Sequence, residues 1–352
     1  MRYAALPFVF ASLLLGMLAG LWRAGFTMID LSTPGNVHGS LMTGAFLGSL
    51  ISLERAIVIK KWYAYTVPLI GGLSTPFFFI YPTVAYVMLC FASAGLVFIM
   101  GWLYMKYSEW YHLIFIVGAA CWLAGNVLIL TGDYYFFSAP WWMLFFLFTI
   151  TAERMELARF VLLQKSRIIL LTSFLGLSFI SLLVPFHAGG KLLLGLSFAL
   201  VALTLLRYDI ARKNTKSNGI HRYSGYALMT GYGWLLLTGI GMMILPYSGL
   251  IYDALLHGFF LGFVFSMILA HGPIILPTIL KQGTFVYHPV LWFWLFTLTI
   301  SLATRLCSDL LGSVYGRLIG SWGNAIAILC FLFTVAALVF QKRFQHCLKT
   351  TS

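Results

Sequence analysis

Acid is what this chain has least of: its 352 residues include nine aspartates and glutamates against 22 lysines and arginines. None of the nine falls in the middle of an apolar stretch. Glu54, Glu109, Glu153 and Glu156 stand at span ends on one side, and Asp30, Asp133, Asp253 and Asp309 at span ends on the other. Carriers coupled to protons or sodium usually place an ionisable group near the bilayer midplane, so this pattern disfavours a secondary transporter. Charge of either sign is scarce, at 9% of residues, which excludes a water-compatible surface around a soluble fold. The five cysteines form no CxxC pair, so neither a disulfide framework nor a zinc site follows. GxxxxGK[ST], HExxH and nucleophile-elbow signatures are missing, which leaves an ATPase, a protease or a hydrolase without support. The longest charged linker, Arg207 to Arg222, is too short for a soluble domain.

What the chain has instead is length in apolar runs. Hydrophobic residues make up 61% of it and the mean hydropathy is +0.95, so lipid must be its solvent. A spanning helix takes about 20 mainly apolar residues. On that ruler the chain predicts twelve, near 5–26, 37–57, 63–81, 83–104, 110–131, 140–162, 167–186, 190–206, 223–247, 251–271, 288–310 and 315–340. With the spans numbered in order, the basic residues sort by side. Four, Arg23, Lys191, Arg305 and Arg317, fall in one set of alternate loops, and the other 18 of the 22 fall in the second set and the two tails. Positive-inside bias then places both ends in the cytoplasm and the protein in the inner, cytoplasmic membrane as a multi-pass protein. The net charge of +13 is this loop bias and does not indicate nucleic acid. The first apolar run lacks an A-x-A cleavage site and keeps the alternation in phase, so it reads as an uncleaved helix. The fold class is all-α: one polytopic transmembrane domain over 1–352, divisible into three groups of four helices.

The second and tenth spans stand apart. Each is expected to open at the outer face with His-Gly, at His38-Gly39 and His257-Gly258, followed by small residues at every fourth position: Ser40, Gly44, Gly48 and Ser52, then Gly258, Gly262, Ser266 and Ala270. Such ribbons bring helices close together, and packing alone is the preferred reading of them. A histidine in a first turn faces the positive end of the helix dipole, which keeps the ring a neutral lone-pair donor, the state a metal ligand needs. The adjoining glycine is expected to leave open space that would suit a flat macrocycle. As a pair the two imidazoles are candidate axial ligands of one iron. His271 lies nearly four turns past His257, too far to share its metal. Pro273 and Pro277 are expected to kink or end the helix there, so that an exposed carbonyl and His271 form a second polar or metal site. Arg23 and Arg305 break the charge rule near outer ends. Arg305 has Asp309 one turn on as an ion-pair partner, and the functional reading of either arginine is a clamp on a cofactor carboxylate. Met42 and Met267 stand four residues from His38 and His271, where packing is preferred over copper binding.

The stretch His257-Gly258-Phe259-Phe260-Leu261-Gly262, with Ser266-Met267-Ile268-Leu269-Ala270, resembles the tenth helix of the NnrS family of membrane proteins. The span from His38 through Leu41-Met42 and Gly44 to Gly48 is similar to that family's histidine-bearing second helix, and the two spans after His257 are similar to its carboxy-terminal part. The resemblance implies a haem- and copper-associated membrane protein linked to nitric oxide stress, distantly like the catalytic subunit of haem-copper oxidases. Carried onto this chain, it makes His38 and His257 the axial ligands of haem b and Arg305 the propionate partner. Ser40 and Leu41 stand where the family's second helix typically continues with histidine and glutamate, and the sixth span has no histidine, which counts against copper and against an oxidase centre.

The leading expectation is a b-type haem protein in electron transfer, or in sensing or handling nitric oxide or another small gas. Its partners would be the lipid bilayer, a small gas or redox partner, and further copies or a membrane complex, with no nucleic acid. Two other classes stand beside it: a cofactor-free transporter or channel for a small solute, gated at His271-Gly272-Pro273, and a membrane accessory or assembly subunit without a substrate.

Overall fold

The computed structural model describes residues 4–26, 28, 35–132, 134–158, 164–186, 189–280 and 285–350, with side chains to 342. Asp30, Asp133 and the side chain of Cys347 lie outside them. Every regular element described is helical. Twelve long helices follow one another: α1 Leu6–Arg23, α2 His38–Ile59, α3 Trp62–Ile80, α4 Pro82–Tyr107, α5 Tyr111–Gly132, α6 Tyr135–Ala158, α7 Lys165–Ser181, α8 Gly190–Tyr208, α9 Gly219–Ile244, α10 Gly249–Ile279, α11 Val290–Leu311 and α12 Val314–Thr350. All but α7 are long and apolar enough to cross a membrane. At 17 residues, α7 reaches about 26 Å, short of the roughly 30 Å of a hydrocarbon core.

Local sequence sets the ends. Pro82 opens α4 at a position whose amide needs no partner. Ser248 caps α10, its hydroxyl accepting from the Ile251 amide at 3.2 Å. Gly312, at φ +69°, closes α11 in the left-handed conformation that glycine adopts without strain. Large apolar side chains turn outward along the helices: Phe91 and Phe98 on α4, Phe293, Phe296 and Ile300 on α11, and Phe333 on α12 are each more than half exposed. Such faces fit a lipid environment and a multi-pass membrane protein.

The chain divides into two compact units, Met1–Leu157 and Ala158–Ser352. In the first, α1 and α3 pack on α2, α3 on α4, and α4 on α5. A buried amide ties α5 to α4 and α6: Asn126 donates to Ser93 Oγ at 3.1 Å and to the Leu89 carbonyl at 3.2 Å, and accepts from Trp142 Nε1 at 3.1 Å. All of its groups away from water are thereby satisfied. In the second unit α8 packs on α7 and α9, α9 on α10, and α11 on both α10 and α12.

Two helices are not α-helical throughout. α2 runs as a π-helix over Leu41–Gly48, and α10 over Gly258–Val264. Long π stretches are rare and are found mostly where a helix serves a function. In both, an indole lies against a glycine where no Cβ could fit: Trp122 against Gly48 and Trp234 against Gly262.

The expected break in α10 is not there. The helix runs on through Pro273 and Pro277 to Ile279. Pro277 has no amide to give the Pro273 carbonyl four residues back, and the Val286 amide takes that carbonyl instead, at 2.9 Å. Of the two carbonyls that the prolines leave without a helical donor, that of Pro273 is thus already bonded.

Candidate functional site

His38 is the first residue of α2, as the sequence suggested. Its Nδ1 lies 2.7 Å from the Gly16 carbonyl of α1. A carbonyl can only accept, so Nδ1 carries the proton, and in the neutral ring Nε2 keeps the lone pair. The imidazole lies against Gly20, where a Cβ would come within 2.9 Å of its Cε1. Gly16 and Gly20 of α1 therefore form the seat for this ring, and Met42 fills the next turn against Gly16. Met42 is in this sense a packing residue, and so is Met267, which lies on Gly231.

His257 is placed differently. It ends the nine-residue α-helical stretch that opens α10 at Gly249, so the first-turn dipole argument does not reach it. Its environment nevertheless gives the same tautomer. Nδ1 lies 2.8 Å from the Asp253 carbonyl, and the Asp253 carboxylate stands 3.3 Å from the same nitrogen. The neutral ring again keeps its lone pair on Nε2. His257 runs directly into the π segment of its helix, and His38 precedes its own by Gly39 and Ser40. A ring that donates Nδ1–H to a carbonyl or carboxylate, and so carries its lone pair on Nε2, is in the usual tautomer of a ligating histidine.

Asp253 extends this site. Its Oδ2 accepts from Arg305 Nη2 at 3.0 Å, and Arg305 Nη1 donates to Ser321 Oγ at 3.0 Å. The expected pairing of Arg305 with Asp309 is therefore corrected: Asp309 pairs with Arg317 at 2.5 Å, because Gly320 lets α12 lie against the backbone of α11 at Arg305 and brings Arg317 and Ser321 alongside. Arg305 is 6% exposed, and its Nε is buried with no hydrogen-bond partner among the described residues. Arg23 is a more ordinary cation. It is exposed in the last turn of α1, where a positive charge suits the helix dipole, and its Nη1 lies 3.4 Å from the Gly35 carbonyl.

The space expected beside each histidine is filled. A Cβ at Gly39 would meet the Tyr135 ring at 2.8 Å, and one at Gly258 the Thr238 hydroxyl at 2.7 Å. These glycines serve close helix packing, as do Gly44 under Leu89 and Gly48 under Trp122, which is the reading preferred for the small-residue ribbons. No group of three or more His, Cys, Asp or Glu gathers among the described residues, around His271 or elsewhere.

Two features went unnoticed in the sequence. Tyr135 links Ser40 and Tyr86 through its hydroxyl, at 3.0 and 3.1 Å, one residue pair beyond His38. In the same unit Arg55 gathers three carboxylates. It hydrogen-bonds Glu153, with Glu54 at 3.5 Å and Glu156 at 3.6 Å, and its guanidinium lies 4.4 Å over the Phe115 ring. The signal was present in the two Glu-Arg pairs, Glu54-Arg55 and Glu153-Arg154, which fall at matching ends of α2 and α6.

Residues 2–340 match the family model described as Domain of unknown function (DUF8744), and the chain belongs to that family. No curated protein and no solved structure matches it.

Proposed function

We propose that this chain is a b-type haem-binding protein of the cytoplasmic membrane, resembling NnrS, that works in electron transfer or in sensing or handling nitric oxide or a related small gas. The observation that carries the reading is the matched state of His38 and His257. Each gives Nδ1–H to a backbone carbonyl, each keeps Nε2 as a donor, and each leads into a π segment.

The two imidazoles are a donor set for a haem iron, although the Tyr135 ring and the Thr238 hydroxyl occupy the space beside Gly39 and Gly258. His38 and His257 would hold the iron, since haem carries its own nitrogen ligands and asks the protein for few more. Held by these imidazoles, haem would supply one-electron chemistry and affinity for a small gas. The chain's own residues hold the donors in place. The Gly16 carbonyl fixes the His38 ring, and Asp253 fixes the His257 ring while Arg305, itself held by Ser321, fixes Asp253. The buried Nε of Arg305 is a donor without an acceptor, which suits an anionic group such as a propionate. Arg23, at the exposed end of α1, is a second cation for the same purpose.

The membrane reading adds sidedness. With α7 counted as a crossing, the basic residues divide 18 to 4 between the two faces; with α7 left out they divide 12 to 10, close to no bias at all. The charge rule therefore supports twelve crossings with both ends in the cytoplasm.

The full chain, purified in detergent, tests the proposal. It should show a Soret band and sharp α-bands on reduction. His38→Ala and His257→Ala should each abolish or shift them, and His271→Ala should leave them intact. A folded, colourless wild type would overturn the haem assignment and return solute passage to first place.

A further inference from the structure

A groove about 520 Å³ in volume runs between α9 and α11 of the second unit. Its mouth is polar, with Asn218, Arg222 and Tyr287. Its far end, lined by Leu295, Phe296 and Thr299, is largely apolar. Trp292 stands between the two parts and donates Nε1–H to the Tyr287 hydroxyl at 3.3 Å. The order of chemistry along the groove, cation, then indole, then largely apolar side chains, is the order met on passing from a lipid headgroup into its acyl chain.

Charge selects the headgroup. Arg222 is exposed, with its guanidinium 6.0 Å from the Tyr226 ring and no carboxylate paired to it among the described residues. It ends the most basic linker of the chain, Arg207 to Arg222, which carries five lysines and arginines against Asp209. That single acid accepts from the Ala211 amide in its own turn at 2.7 Å and is not paired with Arg222 among the described residues. A phosphate at the mouth would therefore meet an uncompensated cation, while a choline headgroup would bring a positive charge of its own to the same place.

We infer that this groove binds one anionic phospholipid, its phosphate on Arg222 and the start of an acyl chain along Trp292, Phe296 and Thr299. The site lies wholly within the second unit and does not depend on the imidazole reading.

Native mass spectrometry of the full chain in detergent, with added phosphatidylglycerol or phosphatidylcholine, tests it. Phosphatidylglycerol should be retained in preference. Arg222→Gln should cut that retention about fivefold, the order that one basic residue contributes at a membrane surface, and leave phosphatidylcholine unchanged. Lys106→Gln, an exposed charge in the other unit, should change nothing. Equal retention of the two lipids, or undiminished retention by a monodisperse Arg222→Gln protein, would overturn the inference. So would displacement of phosphatidylglycerol by millimolar inorganic phosphate, which would make this a site for the free ion.

Discussion

Asp253 holds two neighbours at once, a histidine one turn along its own helix and an arginine from α11. The i, i+4 spacing to His257 was legible in the sequence, but the arginine was not. Arg305 has an acid four residues away on its own helix, and only the seating of α12 on α11 diverts that acid to Arg317. Sequence spacing identifies partners within a helix and is blind to those brought by another. Removing the Asp253 charge takes from the buried Arg305 the carboxylate it hydrogen-bonds, and breaking such a buried pair by general experience costs about 3–5 kcal/mol. Asp253→Asn should therefore lower the thermal unfolding midpoint markedly, and adding Arg305→Leu should recover part of the loss. A double variant no better than the single one would show that Asp253 stabilises the fold by some other contact.

Along an element, the twelve apolar stretches were readable to within a few residues at most ends, because burial in lipid demands an unbroken apolar run. Their internal geometry was not. Nothing in the period of α2 announces eight π residues, and the prolines of α10 suggested a stop that the Val286 amide makes unnecessary. What decides these points is contact with a neighbouring helix, above all at glycine. A Cβ at Gly48 would lie 2.2 Å from the Trp122 ring, whereas one at Gly101 would meet nothing within 4 Å. Gly48→Ala should destabilise the chain by about 1–3 kcal/mol through overpacking. Gly101→Ala, relieved of the entropy cost of glycine in a helix, should be neutral or slightly stabilising. Thermal melts of the two variants in one detergent give the comparison, and equal midpoints would count against the close approach at Trp122.

At the scale of the whole molecule, parity is the sharpest test. Twelve crossings return the chain to the side it started from, and eleven do not, so the short helix α7 decides where the C-terminus lies. Fusing a reporter that fluoresces only in the cytoplasm to either end should give signal from both. A dark C-terminal fusion beside a bright N-terminal one would mean that α7 does not cross. The place of His38 at the head of α2 was legible from the chain, whereas that of His257, at the end of the nine-residue stretch that opens α10, was not. The tautomer the two rings share was only half legible, because one accepting carbonyl, Asp253, lies one turn back on the same helix and the other, Gly16, belongs to another helix. The two π segments carry one more consequence. A π turn is an α-helix holding a surplus residue, so 41–48 and 258–264 are where either helix can lose a single position and relax into regular winding. Deletion scanning of α2 and α10 should find its tolerated gaps there, each swinging the preceding imidazole by about 100° around the helix axis while leaving the following half in register.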